Sequence, residues 1–535
     1  MTHRTIRGNR RLALAAVSLA TFMTSLDNTV VNVALPSIQR DLRLSLGGLE
    51  WVASAYVLVF ASLLLAGGRL ADLYGRRRLF LAGMALFTAA SLASGLATGE
   101  AMLLAGRVLQ GAGAALATPT TLAIISAMFP DGQARARAVG AWSGVTALAV
   151  ALGPLAGGFI SQHWHWGWIF YINLPLGGAA LAAGAAAISE SREPGTQPRL
   201  DLPGVATSTL ALSALTYALI QGHAAGWTSP AILAALALAA AASGAFLAAE
   251  SRARAPMADL ALLRSRVFAG GAATLVLWGF GVLGVYFFTP LYLQGILGFS
   301  PTTAGLAFVP MALLMAASAT LAPCLAGKAG AGPAVAAGMA LVAAGLGATA
   351  LLGRHAGFAS LMPPLAAIGI GSGLTMPVTA AILDALPPAR AGVAAAILNA
   401  AREASGLLGV TVIGAILTAR QAAAQAGGAT PHAAFLTGYS TGLAAAAVLV
   451  LAGTAIALRT LRRPAATEPA FRPVSDIPNS PGGRPRPRLR FGPGTAATPE
   501  GAWDSARRLS DPVPGGPGHR RARNGGQPSC RRAAG

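Results

Sequence analysis

Lysine is nearly missing from this chain: Lys328 stands alone among 39 basic residues. Charge of either sign is scarce, at 11% of residues, less than the surface of a soluble protein of this length would carry. There are two cysteines, Cys324 in an apolar run and Cys530 in the C-terminal tail, which leaves neither a disulfide framework nor a cysteine metal cluster. No G-x-x-x-x-G-K-[ST] run occurs, so no phosphate-cradling loop for ATP is present, and neither a cofactor nor a metal site is expected. What fills the 535 residues is apolar: 54% are hydrophobic, a proportion produced by repeated membrane crossings. The abundance of Ala, Gly, Pro and Arg also fits a GC-rich genome. The net charge of +21 suggests nucleic-acid binding, but the arginines cluster between apolar runs and in the tail rather than along one face, so no nucleic-acid partner is expected.

A span needs about 20 mostly apolar residues. Fourteen candidates meet this: 12–35, 50–67, 79–98, 101–128, 136–160, 167–188, 203–221, 229–249, 267–293, 303–325, 333–352, 359–383, 391–418 and 434–458. The first follows arginines, as a signal peptide would, but it is too long and lacks a small-residue cleavage site, so it is expected to remain. An even count puts both ends on one side. Arginine-rich segments such as Arg76-Arg77-Arg78 and Arg135/Arg137 fall on that side, whereas the other holds only Arg40, Arg43, Arg354 and Arg420. The positive-inside rule therefore places both termini in the cytosol. Residues 464–535 are rich in Pro, Gly and Arg, too poor in large apolar side chains to fold, and are expected to be a disordered cytosolic tail.

Charges inside the spans point to function. Asp27 lies within the first, where a carboxylate costs at least about 2.5 kcal/mol. Arg107 lies in the fourth. At 1.5 Å per residue Asp27 is about 13 Å deep and Arg107 about 9 Å from the same side, so the two can meet. A nearby guanidinium favours a charged carboxylate and apolar burial favours a neutral one, so such a pair can hold or release a proton as hydration changes. In the thirteenth span Asn399, Arg402 and Glu403 lie near the midplane; adjacent helix residues diverge by about 100°, so a pairing of Arg402 with Glu403 cannot be assumed. Glu403 is a candidate for coupling or for binding a cation. Between spans 2 and 3, Gly68-Arg69-Leu70-Ala71-Asp72-Leu73-Tyr74-Gly75-Arg76-Arg77-Arg78 combines glycines that allow a tight turn with an aspartate that can form and break charge-assisted bonds to arginines. In span 5, Gly153-Pro154 and Gly157-Gly158 suggest a bent, closely packed helix. His163 and His165, interleaved with Trp164 and Trp166, fit an interfacial aromatic belt better than a metal site.

The loop of Gly68, Asp72, Gly75, Arg76 and Arg77 resembles the signature cytosolic loop of the major facilitator superfamily, although Leu73 replaces a common basic residue. Leu103, Arg107, Gln110, Gly111, Gly113, Ala114 and Ala115 resemble its fourth-helix motif, and Gly153, Pro154, Gly157 and Gly158 its antiporter fifth-helix motif, with Ala149 for a usual glycine. Leu26 to Pro36 and Trp168 to Gly177 are similar to the fourteen-span drug:proton antiporters, the EmrB/QacA type, with Gly167 at a usual arginine. The resemblance covers about residues 12–460. It implies an all-α polytopic membrane protein: a cytosolic N-terminus (1–11), a six-helix bundle (12–188), two linking helices (203–249) and a second six-helix bundle (267–458). It implies a proton-coupled exporter of lipophilic or cationic drugs in the plasma membrane, with protons and membrane lipid as partners, in monomeric form. A dedicated exporter of a self-made metabolite is the nearer alternative. A non-transporting receptor or membrane enzyme would call for a folded soluble domain or a catalytic constellation, and neither occurs.

Overall fold

A computed structural model describes residues 9–129, 131–192, 201–252, 260–386 and 388–461; residues 1–8 and the tail expected at 464–535 lie outside them. The first half consists of α1 (Arg10–Leu42), α2 (Leu46–Tyr74), α3 (Arg76–Gly95), α4 (Glu100–Met128), α5 (Gly132–His163) and a broken pair, α6 (Trp168–Tyr171) and α7 (Asn173–Ala187). A hairpin follows, α8 (Leu202–Ala225) and α9 (Pro230–Arg252). The second half contains α10 (Arg266–Gly295), α11 (Pro301–Ala329), α12 (Ala331–Ala350), α13 (Phe358–Leu374), α14 (Pro377–Asp384), α15 (Pro388–Ala426) and α16 (Pro431–Thr460). Counting each broken pair once, fourteen are long and apolar enough to cross a membrane. An even number of crossings returns the chain to its starting side, called the terminal side below.

The helices begin where polar side chains satisfy free amides. Asn9, Ser45, Asp131, Asp201, Ser265, Ser300 and Thr430 each accept bonds from the first turn that follows, which replaces water for groups the helix itself leaves unpaired. Where Pro377 opens α14, the twelfth span breaks at Thr375 and Met376. Two expectations need correction. Gly68 to Tyr74 is helical, the last two turns of α2, so the expected loop shrinks to Gly75, whose φ of +110° suits a residue without Cβ. Helices also overrun the spans expected for them: Arg40 belongs to the last turn of α1 and Arg420 to α15, because amphipathic turns continue past the apolar stretch.

Small residues set the helix separation. Gly67 sits against the Ala115 carbonyl, Gly111 against that of Tyr56, and Gly409 against that of Phe280, the close backbone approach that membrane packing depends on. The two halves touch mainly through α5 with α11, α2 with α15, and α1 with α10. These contacts lie on the side opposite the termini: Gly158 packs on the Pro301 carbonyl and Gly305 on that of Pro154, Gln162 accepts from the Thr302 amide (3.1 Å), and Gln294 donates to the Val33 carbonyl (2.8 Å). Toward the terminal side the halves part. Gly140 and Gly144 of α5 have open space beside them, and Leu313, Leu321 and Leu325 of α11 are exposed. Between α2 and α15 a cavity of about 310 Å³ opens, closed from the flank by α8 and α9. The helices are therefore sealed at one face and parted at the face where α1 begins and α16 ends.

Candidate functional site

Five helices converge on Asp27. Its Oδ2 accepts from Arg107 Nη1 at 2.6 Å, and its Oδ1 accepts from Gln110 Nε2 (3.0 Å) and Asn173 Nδ2 (2.8 Å). The Arg107 Nε donates to the Val52 carbonyl of α2 (3.1 Å), and Nη1 is shared with Gln110 Oε1 (3.0 Å). Ser91 of α3 accepts from both amides, at 2.8 and 3.3 Å. Asp27, Arg107, Gln110, Asn173 and Ser91 are all buried. Tyr56 lies under the guanidinium, 4.5 Å from it to the ring centre, with Phe170 at 5.9 Å, a placement that lends cation–π attraction in a water-poor site. The Asp27 carboxyl thus receives three donors, one of them a cation stacked on an aromatic ring.

The expected meeting of Asp27 and Arg107 is thus found, and two partners were not foreseen. Gln110 stands in the fourth-helix pattern and Asn173 in the Trp168 stretch, but an uncharged amide in an apolar helix gives no signal of depth. The break between α6 and α7 puts Asn173 at the first turn of α7, next to α1. Its Oδ1 has no hydrogen-bond partner.

Near the α2–α3 junction, Arg76 donates to Asp72 Oδ1 from both Nε (3.3 Å) and Nη2 (3.0 Å). Glu190, which the sequence did not single out, accepts from the amides of Arg77 (3.1 Å) and Arg78 (3.3 Å), so a carboxylate caps the positive end of α3. Arg77 also donates to the Ala185 carbonyl (2.8 Å). Gly68 has only ordinary contact, with Pro119. In α5, Gly153 faces Thr29 and Gly157 the Val30 carbonyl, both of α1, whereas Gly158 and Pro154 meet α11; the bend motif lies on the seam between halves.

In α15, Arg402 Nη2 and Glu403 Oε1 are 3.2 Å apart, a pairing the sequence leaves open; long side chains close the angle that the backbone opens. Asn399 is exposed and lines neither cavity described here. Glu403 and Arg107 line one small cavity of about 40 Å³ together with Asn28, Asn32, Ser54 and Phe287, so the charged groups of the two halves share a space. Near the opposite face His165 Nε2 and Trp166 Nε1 contact Asp41 Oδ2 at 3.1 and 2.7 Å. No cluster of three or more metal-ligating side chains occurs among the described residues.

Residues 17–410 match the family described as Major Facilitator Superfamily. The chain is 37% identical over 409 residues to the multidrug resistance protein Stp of Mycobacterium tuberculosis, covering 76% of each chain. It is 34% identical over 416 residues to the tetracenomycin C resistance and export protein of Streptomyces glaucescens, covering 78% of this chain and 77% of that one. It is 36% identical over 454 residues to the puromycin resistance protein of Streptomyces alboniger, covering 83% and 89%. Among solved structures, a bacterial homologue of the lysosomal transporter Spinster, inward-facing and occupied, superposes with a TM-score of 0.61 at 17% identity, covering 84% of this chain and 97% of that one; at that identity it speaks for the fold alone. With fourteen spans and these relatives, the chain belongs to the major facilitator superfamily, as a multi-pass efflux transporter of the plasma membrane that moves small molecules and is not an enzyme.

Proposed function

We propose that the protein is a proton-driven antiporter that exports lipophilic or cationic drugs, with Asp27 as the proton-binding group. The observation that carries this is the buried Asp27 carboxylate, paired at 2.6 Å with Arg107, whose side chain lines a cavity that also reaches Glu403. The terminal side, with its arginines, is the cytosol, so the parted face opens inward. Protonation of Asp27 removes the counter-charge of Arg107. A freed guanidinium then competes, by like-charge repulsion, with a cation held at Glu403 in the same cavity. Binding of a cationic substrate conversely drives Arg107 back onto an ionised Asp27 and expels the proton. Exclusion of one by the other is what exchange requires, and the two halves rock about this midplane site. Asp72, Arg76 and Arg77 steady the inward-open arrangement, and the glycines of α5 carry the closed seam. The protein works as a monomer in contact with lipid.

Everted vesicles carrying a preformed proton gradient test this. Adding a lipophilic cation collapses the gradient with the wild type and not with Asp27→Asn; a collapse equal in both overturns the assignment. A second reading, export of one self-made metabolite, draws on the relative named for tetracenomycin C resistance and export. It predicts no response to a panel of lipophilic cations and a response to a single product of the host.

A further inference from the structure

Glu50 is a second acid that the exchange at Asp27 leaves unused. It lies one turn inside α2, near the face opposite the termini, and is 2% exposed. Its Oε1 has no hydrogen-bond partner. Across the seam between halves, the carboxyl packs onto Gly414 of α15, in the space a Cβ would fill. Helices α1, α3, α4, α8 and α15 all touch α2, and the titratable or charged groups they bring toward this end are Arg40 and Asp41 of α1, Glu100 and Arg107 of α4, His223 of α8, and Glu403 and Arg420 of α15; α3 brings none, and Tyr56 is on α2 itself. The Glu100 carboxyl approaches Gly48. Among the described residues none of these forms an ion pair with Glu50; Asp41 engages His165 and Trp166, Arg107 engages Asp27, and Glu403 engages Arg402.

An ionised carboxylate sealed away from water without a donor is far costlier than the neutral acid. The same seam must open when the transporter faces outward, and opening gives the carboxyl water. We propose that Glu50 is a proton-operated latch on the α2–α15 seam: neutral while the outer face is shut, ionised once it opens, and closed again by a proton taken from outside. It adds to the proton coupling proposed above a proton-sensing step at the outer gate, and it rests on that reading for its place in the cycle.

The test is hydrogen–deuterium exchange of the full-length protein in lipid nanodiscs, followed in peptides spanning 44–56 and 410–426 and corrected for intrinsic rates. In the wild type, exchange in both segments rises with pH, by up to about tenfold per pH unit, the limit for one proton linked to opening. Glu50→Gln keeps both segments protected at every pH. Gly414→Ala, which puts a methyl where the carboxyl packs, raises exchange in both at every pH. Asp27→Asn retains the pH response of the seam. A flat wild-type profile, a response undiminished in Glu50→Gln, or exchange unchanged by Gly414→Ala each overturns the latch. Loss of the response in Asp27→Asn together with its persistence in Glu50→Gln overturns the latch and leaves coupling at Asp27 standing. Gradient collapse that survives in Asp27→Asn overturns the coupling while leaving the latch measurement intact.

Discussion

The two halves carry charge in opposite ways. In the first, Asp27 and Arg107 are buried and bonded to each other among Gln110, Asn173 and the Val52 carbonyl, with Tyr56 under the guanidinium. In the second, Arg402 is half exposed and Glu403 has one salt-bridge partner, its own neighbour in the chain. A sealed pair changes state only when something alters its protonation, because breaking it leaves a buried charge uncompensated at a cost of about 3–5 kcal/mol. A pair whose arginine is half exposed is held less tightly, since ion pairs reached by water are worth at most about 1 kcal/mol. The first arrangement suits a coupling ion and the second suits cargo, and the shared cavity lets one report to the other.

The sharpest way to break this contrast is Asp27→Asn. Its expected consequence is loss of gradient-driven export by about a hundredfold or more, with folding destabilised by about 3–5 kcal/mol as Arg107 loses its counter-charge; transport in vesicles and thermal unfolding read the two effects. Arg107→Lys keeps the charge but gives up the fork that serves Asp27 and the Val52 carbonyl together. Export should fall about tenfold, equivalent to about 1.4 kcal/mol, with proton coupling loosened, seen as gradient dissipation without substrate. Glu403→Gln should leave the coupling ratio intact while raising KM for cationic substrates several-fold and sparing neutral ones. Equal losses for both substrate types would place Glu403 with the proton machinery instead. The smallest change expected is from Gly75→Ala, which forces a Cβ into the left-handed region and against Glu190; a stability loss of about 1–3 kcal/mol with KM unchanged is the anticipated result.

Much of this was legible beforehand. Long apolar runs reveal spans because a bilayer tolerates little else, and Asp27 and Arg107 stood out because a charge in such a run needs a reason. Amides such as Gln110 and Asn173 stand out less, since they cost far less to bury and their significance arises only where helices meet. The Gly68 to Gly75 stretch read as a loop from its glycines, yet those same small residues permit helix packing, and only Gly75 takes a conformation that demands one. Glu50 fell at the expected edge of the second span, where a carboxylate looks like a solvated flank; the helix begins a turn earlier, at Leu46, and carries it inside. Glu190 and Gly414 matter through contacts far apart in sequence, which no local pattern encodes.

The central claim is that Asp27 gives up its proton when a cationic substrate enters from the cytosolic side. Proton release by the purified protein in weakly buffered detergent solution, on addition of a lipophilic cation, measures it directly. The account predicts release by the wild type and none by Asp27→Asn; release of the same size from Asp27→Asn would contradict it.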